Sequence, residues 1–127
     1  MFIGAYDQVT DSSIQQVQNE ISTLLVAIEK NIEDKTPQSN KYENFKAAYI
    51  KIEGEIESLE IRCKSLPKYG TVLDQLNTLE SNVEDLEKDH KMGIDSISEV
   101  ETIKSTFETQ FGTMATLQSA LKNQSNK

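Results

Sequence analysis

Apolar residues recur at Ile14, Val17, Ile21, Leu24, Ile28 and Ile32, three and four positions apart, with Leu25 widening the stripe. Such spacing lines one face of a helix, and it predicts a first helix over about residues 12–34. Asp11, Ser12 and Ser13 mark its start, with Ser12 and Gln15 at capping-box spacing. Thr36 and Pro37 mark its end, because proline disfavours helical angles in the residue before it.

A second seam runs through Tyr42, Phe45, Tyr49, Ile52, Ile56, Leu59, Cys63 and Leu66 in strict steps of three and four. It predicts a helix over 41–66, capped by Asn40 with Glu43, whose narrow stripe carries charged shoulders at Lys46, Glu53, Glu55, Glu60 and Arg62. The stretch SLPKYG then interrupts it. Pro67 removes a helical hydrogen bond and Gly70 tolerates the angles of a reversal, so both are read as hinge residues. A proline kink within one continuous rod is the competing expectation. A third run, Val72 or Leu73, Leu76, Leu79, Val83, Leu86 and His90, predicts a helix over 70–92. Gly93 is the next hinge candidate, and Ser96 with Glu99 signals a new start. A stutter through His90, Ile94 and Ile97 that leaves the helix unbroken is the alternative. The last run, Ile97, Val100, Ile103, Phe107, Phe111, Met114, Leu117 and Leu121, predicts a helix over 96–122 with Gly112 in its middle and a frayed tail over 123–127.

The expected fold is therefore all-α, one domain over 1–127, with three or four long amphipathic helices that form either an elongated coiled-coil-like assembly or an up-and-down bundle. An apolar content of 36% is thin against the roughly 45–50% of ordinary globular chains, and it suits narrow seams. A net charge of −8, spread along the chain, argues against nucleic acid, whose recognition depends on Lys and Arg neutralising phosphates. The same sign disfavours anionic membrane surfaces. No apolar run approaches the roughly 20 residues of a membrane span, and the opening MFIGAYDQVTD lacks signal-peptide character. The single Cys63 fits a reducing compartment, so a cytoplasmic location is expected.

Candidate chemistry is sparse. His90 stands on a seam without a second ligand at metal-like spacing, and Cys63 has no local basic group to activate its thiol. Glu84 with Glu87 and Glu99 with Glu101 read as solvated helix faces. With no phosphate loop, nucleophile elbow or metal cluster, the expectation is a non-enzyme without cofactor, metal or small-molecule substrate. Tyr42, Phe45, Tyr49, Ile52, Ile56, Leu59, Leu66, Leu76, Leu79, Val83 and Leu86 are the candidate protein-interface residues. Ile50 and Ile61 fall off the seam eleven residues apart, with Gly54 and Ser58 along the same stripe, and form a possible second partner surface.

Leu73-Asp74-Gln75-Leu76-Asn77, followed by Leu79-Glu80, Val83 and Leu86-Glu87, resembles the LDQI-like segment of subunit 2 of the complex for biogenesis of lysosome-related organelles. Leu66-Pro67 ahead of the same seam gives a looser likeness to dysbindin, another subunit. The resemblance spans about residues 42–104. It implies a scaffold subunit that assembles with other helical, coiled-coil subunits in endosome-to-lysosome traffic, peripheral on those organelles. The alternative is a self-contained bundle acting as a regulatory or adaptor domain that binds a partner helix, as the N-terminal bundles of syntaxins do.

Overall fold

The computed structural model of the protein describes residues 4–125. In chain order it consists of α1 (Gln8–Glu33), two short 3-10 turns (Pro37–Asn40 and Tyr42–Asn44), α2 (Lys46–Lys64), α3 (Gly70–Met92) and α4 (Ile97–Ser125). Each helix packs against the next, and α4 returns beside α1. Neighbours run antiparallel: Arg62, Glu55 and Lys51 of α2 meet Asp7, Gln16 and Glu20 in reversed order along the N-terminal segment and α1. The architecture is an up-and-down four-helix bundle.

One core runs through it. Ile14, Val17, Ile21, Leu24, Leu25 and Ile28 of α1 face Tyr49, Ile52, Ile56 and Leu59 of α2, together with Val72, Leu76, Leu79, Val83 and Leu86 of α3 and Val100, Phe107, Phe111, Met114 and Leu121 of α4. The seam positions expected to face other chains thus lie inside this one. The reason is geometric, since four stripes joined by short connections can bury one another without a partner. Tyr42, Phe45 and Leu66 are partly buried against the same core.

The helix boundaries differ from expectation where side chains outside the periodic pattern intervene. Helix α1 begins at Gln8, earlier than Ser12, because Asp7 caps it by accepting from the Thr10 backbone N–H at 3.1 Å and the Thr10 hydroxyl at 2.5 Å. It ends in a Schellman motif, with Lys35 N–H donating to Ile32 C=O and Thr36 N–H to Asn31 C=O. Lys35 occupies the left-handed position (φ 57°), where glycine is usual. The capping box at Asn40 and Glu43 does not form. Asn40 instead donates to Ile28 C=O and accepts from Asn31, tying the loop back to α1, so α2 starts only at Lys46.

At SLPKYG the helix breaks rather than kinks: α2 ends at Lys64 and α3 opens at Gly70. The left-handed residue of this turn is Lys68 (φ 60°), while Gly70 is already helical, so its expected role as the hinge is overturned. Tyr69 is the anchor. Its ring is buried, its hydroxyl donates to Ala5 C=O at 2.7 Å, and Gly4 N–H donates to Lys68 C=O at 3.2 Å. A Cβ on Gly4 would stand 2.4 Å from Pro67 O, so the N-terminal segment can pass the turn only as glycine. Gly93 does end α3, with φ 114°, and Ser96 Oγ accepts from Glu99 N–H at the start of α4. Helix α4 continues through Ser125, past the expected fraying point, and the Gln124 amide donates to Gly4 C=O. Asn126 and Lys127 lie outside the described residues.

Candidate functional site

Two surfaces invite a functional reading: a cleft at one end of the bundle and the outward face of α2. The cleft, about 560 Å³, is bounded by the α1–α2 loop, the end of α3 and the α3–α4 turn. At its floor His90 is buried with both ring nitrogens engaged. A carbonyl only accepts, so the 2.7 Å contact to Asn40 C=O puts the proton on Nε2. Nδ1 then accepts from the Tyr49 hydroxyl at 2.8 Å. Burial lowers the His90 pKa below 6.5 and raises that of Tyr49. Tyr42 packs on Tyr49 and donates to Glu87, which lifts its phenol to about 12. Lys91 lies over the Tyr42 ring, 4.9 Å from its centroid.

Every polar side chain in this Tyr–His–Asn cluster therefore has an internal partner. The cluster closes the end of the bundle by fastening the α1–α2 loop to α2 and α3, and it presents no unsatisfied donor or acceptor to a ligand. His90 is a packed seam residue. Cys63 is likewise buried, 4.0 Å from the Thr10 hydroxyl, and burial raises its thiol pKa. A low thiolate fraction makes a poor nucleophile. Among the described residues no group of three or more His, Cys, Asp or Glu side chains could hold a metal ion. No helix among them is long and apolar enough to cross a membrane.

The outward face of α2 is different. Ile50 and Ile61 are 60% and 62% exposed, with exposed Gly54 and Ser58 between them. On this antiparallel pair, Val9 of α1 lies level with the Ile61 end and is also half exposed. A shallow groove of about 260 Å³ between the two helices is floored by Ser13, Gln16, Ser58 and Leu59. Small residues let another backbone come close, and the isoleucines offer apolar anchors along one line.

Arg62 frames one end of the groove, with Nε 2.7 Å and Nη2 3.0 Å from the two oxygens of Asp7. The Arg62 guanidinium holds the Asp7 carboxyl well below the usual carboxylate range. This fork was not foreseen, because Asp7 and Arg62 are 55 residues apart and only the antiparallel pairing of α1 and α2 joins them. No family model, curated protein or solved structure gives a significant match to this chain.

Proposed function

We propose that the protein is a non-enzymatic helical-bundle adaptor or regulatory domain that binds a partner helix along the outward face of α2, with Ile50 and Ile61 as apolar anchors. The carrying observation is a division of labour on α2. Tyr49, Ile52, Ile56 and Leu59 close the chain's own core while Ile50 and Ile61 remain exposed on the other side of the same helix. Single exposed apolar residues are ordinary. A pair eleven residues apart returns to almost the same side of a helix, and Gly54 and Ser58 leave room between them for an approaching backbone.

The reading as a scaffold subunit whose seams pair with other chains, suggested by the likeness to lysosome-related organelle subunits, requires the bundle to open first. Its seams are occupied while the four helices remain together. The adaptor reading needs no such step. The test is a double variant, Ile50→Asp with Ile61→Asp, assayed by helicity and by capture of partners from the native cell. The adaptor reading expects unchanged helicity with partners lost. Retention of the same partners by the folded variant contradicts it.

A further inference from the structure

The flanks of α2 carry an arrangement that the core does not use, although Gln16 and Glu55 also line the groove between α1 and α2. Against α1, the carboxyl groups of Glu20 and Glu55 meet across the helix interface. The Gln16 amide donates to Glu55 Oε2 at 2.9 Å and Lys51 Nζ lies 3.3 Å from Glu20 Oε2, but the buried Oε1 atoms of both glutamates have no donor. Against α3, Glu53 lies within hydrogen-bond reach of Glu87, which also accepts from Tyr42; Glu84 and Lys91 are the other charged groups nearby. Glu53 Oε2 is buried without a donor. One helix end further along, Glu60 is only 9% exposed and its Oε2 also lacks a donor. It faces Glu80, with Lys64 and Glu57 beside it.

Four buried carboxyl oxygens without donors, on three pairs that all involve α2, share one remedy. A single proton between two carboxyl groups gives each pair its missing hydrogen bond, which is charge-assisted and strong. Two bare carboxylates in contact repel instead. We infer that docking of α2 is proton-linked: the helix closes on α1 and α3 through carboxyl pairs that each share a proton, and raising the pH loosens both flanks together.

The titration behaviour agrees in direction. Burial, then contact with Glu87, pushes Glu53 up to about 7. Burial, then contact with Glu20, does the same for Glu55. Burial with the Glu80 charge also raises Glu60. Burial is the largest influence on Glu20 and Glu87 and opposes their charge, but hydrogen bonds from Glu55, Gln16 and Lys51 on the first and from Glu53 and Tyr42 with the Lys91 charge on the second together outweigh it and hold these carboxyls low. Below about 7 the Glu53/Glu87 and Glu55/Glu20 pairs thus each keep one proton and one charge.

The sign follows from linkage. The folded pairs take up a proton near neutrality, whereas the unfolded carboxyls do so only near 4.5. Stability therefore rises as pH falls from 8 towards 5 and is lost as pH rises through the folded value. The second carboxyl of the two α2 pairs with Glu20 and Glu87 acts oppositely, below about 4.5. His90, neutral and buried, also acts oppositely, since its contribution is present above 6.5 and lost as pH falls further.

The experiment is thermal unfolding of the full chain at pH 8 and pH 6.5 in low salt, for the native protein and for Glu53→Gln/Glu55→Gln/Glu60→Gln. Glutamine supplies the donor permanently, and the His90 contribution cancels in the comparison. The native Tm is expected to rise by about 4 °C from pH 8 to 6.5. The triple variant should melt higher than the native protein at pH 8 and keep nearly the same Tm at both values. Hydrogen exchange, corrected for the intrinsic pH dependence, should show the native gain in α2 amides more than in α4 amides. A native Tm indifferent to pH over this window, or a triple variant less stable than the native protein at pH 8, overturns the inference.

Discussion

Helices α2 and α4 occupy opposite corners of the bundle, each between α1 and α3, yet they are held along their flanks by different chemistry. On α4 the pairs that form are complementary: Lys104 Nζ lies 2.8 Å from Glu29 Oε1, Asn82 donates to Gln110, and Gln110 donates in turn to Gln75 C=O, while the buried, uncharged Gln118 amide has no hydrogen-bond partner among the described residues. On α2 the polar flanks bring carboxyl against carboxyl at Glu20/Glu55, Glu53/Glu87 and Glu60/Glu80. Among the described residues each of the two helices places five buried apolar side chains in the core. The difference lies in what surrounds the seam, and it makes α2 the corner whose attachment responds to its surroundings.

If the seams are equivalent, a charge in either should be comparably damaging. Ile52→Asp on α2 and Met114→Asp on α4 each place an unpaired carboxylate at a buried site. Each is expected to cost about 4 kcal/mol or to abolish cooperative unfolding in urea. Ile50→Asp, one turn's edge away on the exposed face, should stay within about 0.5 kcal/mol of the native protein. A mild Ile52→Asp would remove that residue from the core.

A smaller effect isolates the polar closure at the α2–α3 end. His90→Phe keeps a buried ring but leaves the Tyr49 hydroxyl and Asn40 C=O without their partner. A loss of about 2 kcal/mol in urea unfolding is expected. No loss would mean that water replaces the imidazole there. On the other corner, Lys104→Met removes the α4 flank pair, whose groups are partly exposed. It should cost no more than about 1 kcal/mol, and by the same amount at pH 6.5 and pH 8. A pH-dependent cost would blur the distinction between the two corners. The smallest change is Gly112→Ala, at an open helical position where an added Cβ meets nothing within 4 Å. It should stabilise by about 1 kcal/mol or slightly less in the same assay.

How much of this was legible in the sequence depended on whether the signal was periodic or long-range. The four seams and the exposure of Ile50 and Ile61 follow from spacing within one helix and agree with the structure, whereas at Pro67 and Gly93 the sequence leaves a break and a continuous helix both open and the structure has breaks. The start of α1 was misplaced because Ser12 and Gln15 imitate a capping box, whereas Asp7 engages Thr10 and Arg62. The seam from Tyr42 gave no sign that Asn40 would be drawn to Ile28 and Asn31, delaying α2 to Lys46. The acidic pairs were hidden for another reason. Glu53, Glu55 and Glu60 read as the charged shoulders of a narrow seam, and only the antiparallel neighbours reveal that the shoulders opposite them are acidic as well. Whether seams face other chains or one another depends on the paths of the connecting turns, which heptad spacing does not encode.

The four seams close on each other within one chain. Small-angle X-ray scattering in line with size exclusion, which yields mass and radius of gyration from one sample, tests this closure most directly. The account predicts a mass of 14.3 kDa with a radius of gyration of about 14 Å, the value for a compact chain of this length. A helix running unbroken from 46 to 92 would be roughly 70 Å long. A radius of about 20 Å or more at the monomer mass, or a mass of two or more chains, would contradict it and return the seams to the service of other subunits.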